Sequence, residues 1–172
     1  SVPQMSIVAG PCAGGAVYSP GITDFIFAVD KISQLFITGP KVVKSVMFMD
    51  ITAEDLGGAS IHSKKSGVAH FRCESEPDCY DKVRRLLDYI PHYYGDELVQ
   101  AAKYHFDAHK KTKHIEKILP ENTRQGYDIR EVINDVTDDD SFFEVSQEFA
   151  INCVIGFAKI EGRSVGIIAN NP

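Results

Sequence analysis

Short apolar runs, each closed by glycine or proline, punctuate the first half of the chain. Residues 5–9 stop at Gly10-Pro11, residues 34–38 stop at Gly39-Pro40, and residues 25–29 lie between them. Runs this short, rich in Val, Ile and Phe, predict buried strands, and residues 68–71 predict one more. Between them the apolar spacing lengthens. Pro40 followed by Val42, Val43 and Val46 predicts a short helix to about Phe48. Thr52 predicts the cap of a helical turn that Gly57-Gly58 ends. Tyr80, Val83, Leu86, Leu87 and Ile90 repeat at helical spacing and predict an amphipathic helix over 77–90. Strands alternating with helices point to an α/β fold.

The second half reads differently. Residues 95–119 predict one helix, with Leu98, Ala101, Ala102, His105 and Phe106 on a shared face and a basic run at 109–114 near its end. Residues 127–136 predict another, with Ile129, Val132, Ile133 and Val136 on one side, broken by Asp138-Asp139-Asp140. Residues 142–145 predict a strand. Residues 153–160 and 163–169 flank Glu161-Gly162 and predict a β-hairpin. Eight of the 13 glycines fall in residues 1–91 and one in 92–120, so the chain divides into three regions.

Composition narrows the function classes. Apolar residues make up 44% and charged residues 24% of 172 positions, an ordinary globular balance that excludes wholly disordered and fibrous classes. The net charge of −6 lacks the positive field that nonspecific nucleic-acid binding needs. No apolar run approaches the roughly 20 residues of a membrane-spanning helix. The opening residues, which carry neither Met nor a signal-peptide pattern, and the strand-like close predict a piece of a longer polypeptide. Cys12, Cys73, Cys79 and Cys153 form no C-x-x-C pair, which predicts free thiols in a reducing compartment.

Residues 10–16, Gly10-Pro11-Cys12-Ala13-Gly14-Gly15-Ala16, are the richest in chemical implication. A strand stops, the chain turns, and two glycines precede a helix-compatible run. Backbone N–H groups there can approach a ligand with no Cβ in the way, which suits an oxyanion hole. Neither Cys12 nor Ser19 has a base at local spacing, so the stretch fits stabilisation of a developing enolate rather than an acyl-enzyme. On spacing alone a tight turn with close helix packing is the simpler reading. The Lys of a phosphate loop is absent. His105, His109 and His114 have helical spacing without a convincing third ligand, so a solvated helix face outweighs a metal site. His62 and His70 read as hydrogen-bonded structural histidines, Gly57-Gly58 as a turn, and Asp138 to Asp140 as a solvated turn.

Several stretches together resemble the carboxyltransferase (β) subunits of biotin-dependent acyl-CoA carboxylases, of the propionyl-CoA carboxylase type. They are residues 10–20, Leu35-Phe36-Ile37-Thr38-Gly39-Pro40, Leu56-Gly57-Gly58-Ala59, Ser66-Gly67-Val68-Ala69-His70, Tyr127-Asp128-Ile129-Arg130, Asp140-Ser141-Phe142-Phe143-Glu144 and residues 165–172. They follow one order over nearly the whole chain. The resemblance implies an α/β, crotonase-like (ClpP/crotonase) fold of stacked ββα units, present in part. Residues 1–91 would be the C-terminal part of the first carboxyltransferase domain. Residues 92–120 would be an interdomain helical linker, more helical and basic than the proline-containing linkers of many members. Residues 121–172 would open the second domain.

It also implies an activity: a carboxyl group passes from carboxybiotin to the α-carbon of a short acyl-CoA, with the biotin ureido group taking the α-proton. The amides of Gly14 and Gly15 would form the first-domain oxyanion hole, for either the thioester or the ureido enolate. Ala13, Ala16, Tyr18, Ser19 and Pro20 would line the approach of acyl group or biotin, and Phe36, Thr38 and Gly39 would flank the acyl-CoA. Implied partners are the acyl-CoA, a biotin carboxylase and biotin carrier subunit, and further copies of the full-length parent, typically as a hexamer. No metal, nucleic acid or membrane span is implied, and the setting would be the cytoplasm or mitochondrial matrix. The same family includes subunits of sodium-pumping decarboxylases of methylmalonyl-CoA or glutaconyl-CoA. Outside catalysis, the chain could be an acyl-CoA-binding module.

Overall fold

The computed structural model describes residues 2–96, 115–122 and 124–172. They form two compact units, Ser1–Arg85 and Leu86–Pro172. The helix expected at 95–119 lies mostly outside the described residues, together with His105, His109, His114 and the basic run. Gly95, expected at its start, sits instead in a turn at φ +89. Ile115–Ile118 (α6) is the part of the expected helix that the description includes.

The first unit is built from strand pairs that turn a corner. β1 (Met5–Val8) passes through Gly10 into β2 (Pro11–Ala13), and β3 (Phe25–Val29) passes through residues 30–33 into β4 (Gln34–Phe36). β1 and β3 pair in parallel in one sheet, and β2 and β4 pair in parallel in another. The two corners are therefore stacked. Buried Ser33 ties them: its hydroxyl donates to the Val8 carbonyl, and the next amide, Gln34 N, donates to Gly10 O at 3.2 Å. A fully buried hydroxyl without a partner would cost about 1–3 kcal/mol, so the corner needs this bond.

β5 (Phe71–Cys73) adds to the other edge of β3, giving the order β1-β3-β5. The strand expected at 68–71 thus begins later, because residues 68–70 connect to it from a helix. Phe27 and Phe71 stack with centroids 4.5 Å apart. Arg72 grips Asp30 with a two-pronged bond, Nε to Oδ1 and Nη2 to Oδ2, both 2.9 Å. That hydrogen bond from Arg72 holds the Asp30 carboxyl below its ordinary pKa.

Helices follow the strand pairs, as stacked ββα units require. The chain leaves β2 in a 3-10 turn, Gly14–Val17, and one α-helical turn, α1 (Tyr18–Gly21). After β4 come α2 (Pro40–Met47), α3 (Ala53–Gly57) and α4 (Ala59–Lys64). Thr52 caps α3 as expected, its hydroxyl accepting from Asp55 N at 3.0 Å. The expected turn at Gly57-Gly58 is instead a junction between two helices, and α4 is an element the apolar pattern does not announce. α5 (Glu76–Leu87) forms where expected and turns part of the expected face inward, Leu86 fully and Val83 by half. Cys79 and Leu86 are fully buried, whereas Tyr80 and Leu87 are 47% and 40% exposed. Placing Tyr80 and Leu87 on the buried face is corrected: the helix turns its smaller Cys79 inward, where Cys73 lies beside it.

The second unit is antiparallel. β6 (Phe143–Val145), β7 (Cys153–Ile160) and β8 (Arg163–Asn170) form a sheet in that order, and α7 (Ile129–Val136) precedes it. Glu161 and Gly162 both have positive φ, which a two-residue turn matched to strand twist requires. The Asp138 carboxylate accepts from both turn amides, Glu161 N at 3.0 Å and Gly162 N at 2.7 Å. The acidic triplet is therefore no free solvated turn at Asp138; that side chain clamps the hairpin. Arg130 reaches from α7 to Glu144 on β6 with two bonds of 2.7 and 2.6 Å. Tyr89 stacks on Phe143 and Phe157 and donates to Ser141 O.

Candidate functional site

The parallel register of β2 and β4 decides what lies next to what. Ala13 is the partner of Phe36, so both strands end side by side. Their exits, Gly14-Gly15 from one and Ile37-Thr38-Gly39 from the other, leave from the same edge, and the 3-10 turn contacts β4. Ligands of α/β sheets commonly sit outside such carboxyl ends. The two stretches singled out in the sequence thus meet through strand pairing rather than through proximity in the chain.

The turn is anchored from beneath and open above. Val17 and Cys12 pack against the buried cluster Val8, Ile26 and Leu35, and Pro20 is buried. Ala13, Gly15, Ala16, Ser19 and Thr38 are exposed, Tyr18 is 62% exposed and Ile37 is 63% exposed. Phe36 and Gly39 are half-buried, with the Phe36 ring next to Gly39. A rim of exposed apolar and aromatic side chains around bare backbone suits a ligand with an apolar body and a polar head.

Gly14 and Gly15 differ in why they are glycine. Gly14 has φ +64, the left-handed region that side chains with a Cβ rarely adopt. Gly15 has no such φ, and a Cβ built there would have no atom within 4 Å. Neither the backbone nor the packing demands glycine at 15. In the turn, Tyr18 N donates to Gly15 O, in the i to i+3 pattern. The amides that open such a turn have no partner within it, so the turn leaves Gly14 N–H and Gly15 N–H unused, although the pairing of Ala13 with Phe36 turns Gly14 N–H toward Phe36 O.

Two residues read as structural turn out to shape this edge. Gly57 lies so close to β4 that a Cβ would stand 2.1 Å from Leu35 O. His62 donates from Nε2 to the same carbonyl at 2.7 Å, while its Nδ1 meets the Ser66 hydroxyl at 2.8 Å. His70 is likewise hydrogen-bonded, its Nδ1 accepting from Ile26 N at 3.0 Å, and burial lowers its pKa. Among the described residues no group of three His, Cys, Asp or Glu is arranged to hold a metal ion, and no helix is long and apolar enough to cross a membrane.

Comparison with known proteins shows the family. The family model described as the carboxyl transferase domain matches residues 1–172. The carboxyltransferase subunit of propionyl-CoA carboxylase from Haloferax mediterranei is 46% identical over 171 residues, 99% of this chain and 33% of that protein. The methylmalonyl-CoA decarboxylase subunit alpha of Veillonella parvula is 46% identical over 173 residues, with the same coverage. Transcarboxylase 12S, solved as a hexamer assembly with hydrolysed methylmalonyl-coenzyme A bound, superposes with a TM-score of 0.93 at 43% identity, over 99% of this chain and 33% of that one. A single-chain, multi-domain long-chain acyl-CoA carboxylase shares the fold, with a TM-score of 0.78 at 21% identity. The chain spans about a third of the length of the curated relatives it matches.

Proposed function

Because the chain belongs to the carboxyl transferase domain family, we propose that it forms part of a carboxyltransferase subunit that carboxylates the α-carbon of a short acyl-CoA, propionyl-CoA being the model substrate. Carboxybiotin, brought by a partner protein or domain, supplies the carboxyl group. Residues 1–91 close the first carboxyltransferase domain, 92–120 connect, and 121–172 open the second. The working setting is the cytoplasm or mitochondrial matrix, in a homo-oligomer such as a hexamer.

One observation carries the site. Gly15 sits exposed at the carboxyl end of β2, with open space where its Cβ would be and an amide that the turn does not use. The bare backbone leaves room for a ligand oxygen to reach the amide. Losing a proton next to a thioester puts negative charge on the carbonyl oxygen. The N–H groups of Gly14 and Gly15 stabilise such an oxygen; a single donor of this kind is worth about 2.7–4 kcal/mol in the transition state. Being fixed by the 3-10 turn, they need no reorganisation as charge develops. Ala13, Ala16, Tyr18 and Ser19 wall the approach on one side, Phe36, Thr38 and Gly39 on the other.

The test is carboxyl transfer from carboxybiotin to propionyl-CoA by a full-length subunit carrying this segment. The isolated chain lacks much of its relatives' length, so it should show no exchange with free biotin. Robust turnover by the isolated chain would refute the view that this segment supplies only part of the site. A second reading rests on the equal identity to a methylmalonyl-CoA decarboxylase subunit. There the same amides serve the reverse reaction, and assays with the natural partner subunits give the direction. Calorimetry with CoA and with biotin, on chain and full-length subunit, separates both from a merely acyl-CoA-binding module. Such a module binds CoA in both forms and transfers no carboxyl group in either.

A further inference from the structure

We propose that His62 is a positioning residue for the acyl-CoA wall: its Nε2–H···O bond to Leu35 holds the end of β4 so that Phe36, Thr38 and Gly39 face the site. This inference rests on the functional reading above.

β4 has a second edge, on the side away from β2. Among the described residues β4 is one of two strands in its sheet, with β2 on one side. On the other side a single bridge, Gln34 to Gly58, joins it to the α3–α4 junction. The next carbonyl, Leu35 O, receives the His62 Nε2 bond at 2.7 Å. The Leu35 residue is buried at 5% exposure, so an unmet carbonyl there would be costly. The α3–α4 junction can come this close only because residue 57 is glycine, with its Cβ position 2.1 Å from the same oxygen.

The direction of the bond is fixed as well. Leu35 O can only accept, so Nε2 carries the proton. A neutral ring then presents a bare Nδ1, which accepts from the Ser66 hydroxyl at 2.8 Å. Ser66 thus orients the ring, and the ring orients the carbonyl. Immediately beyond Leu35 come Phe36, the partner of Ala13, and the exposed Ile37-Thr38. The bond therefore acts at the last fixed peptide before the wall of the site. His62 itself touches no reacting atom in this arrangement.

The test uses a full-length subunit carrying this segment, with its biotin-loaded partner, in wild-type form and as His62→Ala, His62→Gln and Ser66→Ala. Loss of one neutral hydrogen bond should raise the KM for propionyl-CoA about three- to tenfold in His62→Ala, with kcat per folded enzyme within about twofold. His62→Gln, which keeps a donor, should restore KM to within about threefold of wild type, and Ser66→Ala should fall between. Hydrogen–deuterium exchange supplies a readout that needs no turnover. Exchange in the peptide spanning residues 34–40 should rise in His62→Ala and return in His62→Gln, while β6 to β8 stay unchanged. A purely structural histidine would instead lower the folded fraction, reducing apparent kcat at constant KM and raising exchange throughout the first unit. That pattern, or an unchanged KM in an active His62→Ala enzyme, overturns the inference. An inactive wild-type subunit overturns the functional reading, and with it the assignment of this wall to acyl-CoA.

Discussion

Gly14 and Gly15 are neighbours, yet alanine should act on them in opposite ways. At Gly14 the φ of +64 persists in any variant that keeps the turn. A side chain in that region costs about 1–2 kcal/mol, and for a chain of this size each kcal/mol lowers Tm by about 2–4 °C. Gly14→Ala should therefore melt about 2–8 °C below wild type. At Gly15 the φ is ordinary and the new methyl meets no atom within 4 Å. A surface change free of strain and contact stays within about 0.5 kcal/mol, so Gly15→Ala should melt within about 2 °C of wild type. That methyl does, however, stand beside an amide that must come about 2.7–3.1 Å from a charged oxygen. Displacing the oxygen from one donor costs about 10²–10³ in kcat, and partial displacement correspondingly less. Gly15→Ala should thus lower carboxyl transfer at least about tenfold while leaving the melting curve in place. The assay pairs thermal unfolding of this chain by circular dichroism with steady-state transfer to propionyl-CoA by the full-length subunit. A fully active Gly15→Ala enzyme would show that the bare backbone at 15 is not there for a ligand. An activity loss that merely follows a loss of Tm would also remove the amides from the mechanism.

Other residues give independent checks. His70 accepts the Ile26 amide through Nδ1 and is held below its ordinary pKa of 6.5 by burial. The unfolded chain then binds a proton that the folded one resists. The His70 contribution is thus present above pH 6.5 and declines as pH falls below it, by at most about 1.4 kcal/mol per pH unit. Urea midpoints measured between about pH 5 and 7 should show this slope in wild type and a shallower one in His70→Gln; equal slopes would contradict the assignment. Gly57→Ala forces a methyl to 2.1 Å from Leu35 O. It should cost at least about 1–3 kcal/mol, read as a fall in Tm. Arg130 and Glu144 are a largely buried pair, their side chains 23% and 10% exposed. Arg130→Ala alone should cost about 3 kcal/mol, and adding Glu144→Ala should recover part of it in a denaturant titration. Burial holds the Cys73 thiol up at about 12, and Cys73 and Cys79 are both fully buried. A thiol reagent at neutral pH should label the half-buried Cys12 and Cys153 in the native protein and reach Cys73 and Cys79 only on unfolding.

Local periodicity was enough to announce most elements. The apolar runs at 5–9 and 25–29, the Pro40 start of α2, the Thr52 cap and the Glu161-Gly162 turn each rest on neighbours within one or two turns of chain, which a sequence displays. The order of the motifs along the chain likewise points to the family. Tertiary structure decided the rest, because the deciding partner lies far along the chain. Only the pairing of Ala13 with Phe36 brings the two site stretches together. Only the Leu35 carbonyl explains Gly57 and gives His62 a task. The apolar spacing of α5 groups Tyr80 with Leu86, whereas the structure turns the smaller Cys79 inward beside Cys73 and leaves Tyr80 exposed. Asp138, in an acidic run that reads as solvent-facing, is claimed by the two amides of a hairpin turn that follows it in the chain. Spacing reports which face a residue shares with its neighbours. Hydrogen bonds and close approaches between distant segments are satisfied only once the strands have paired.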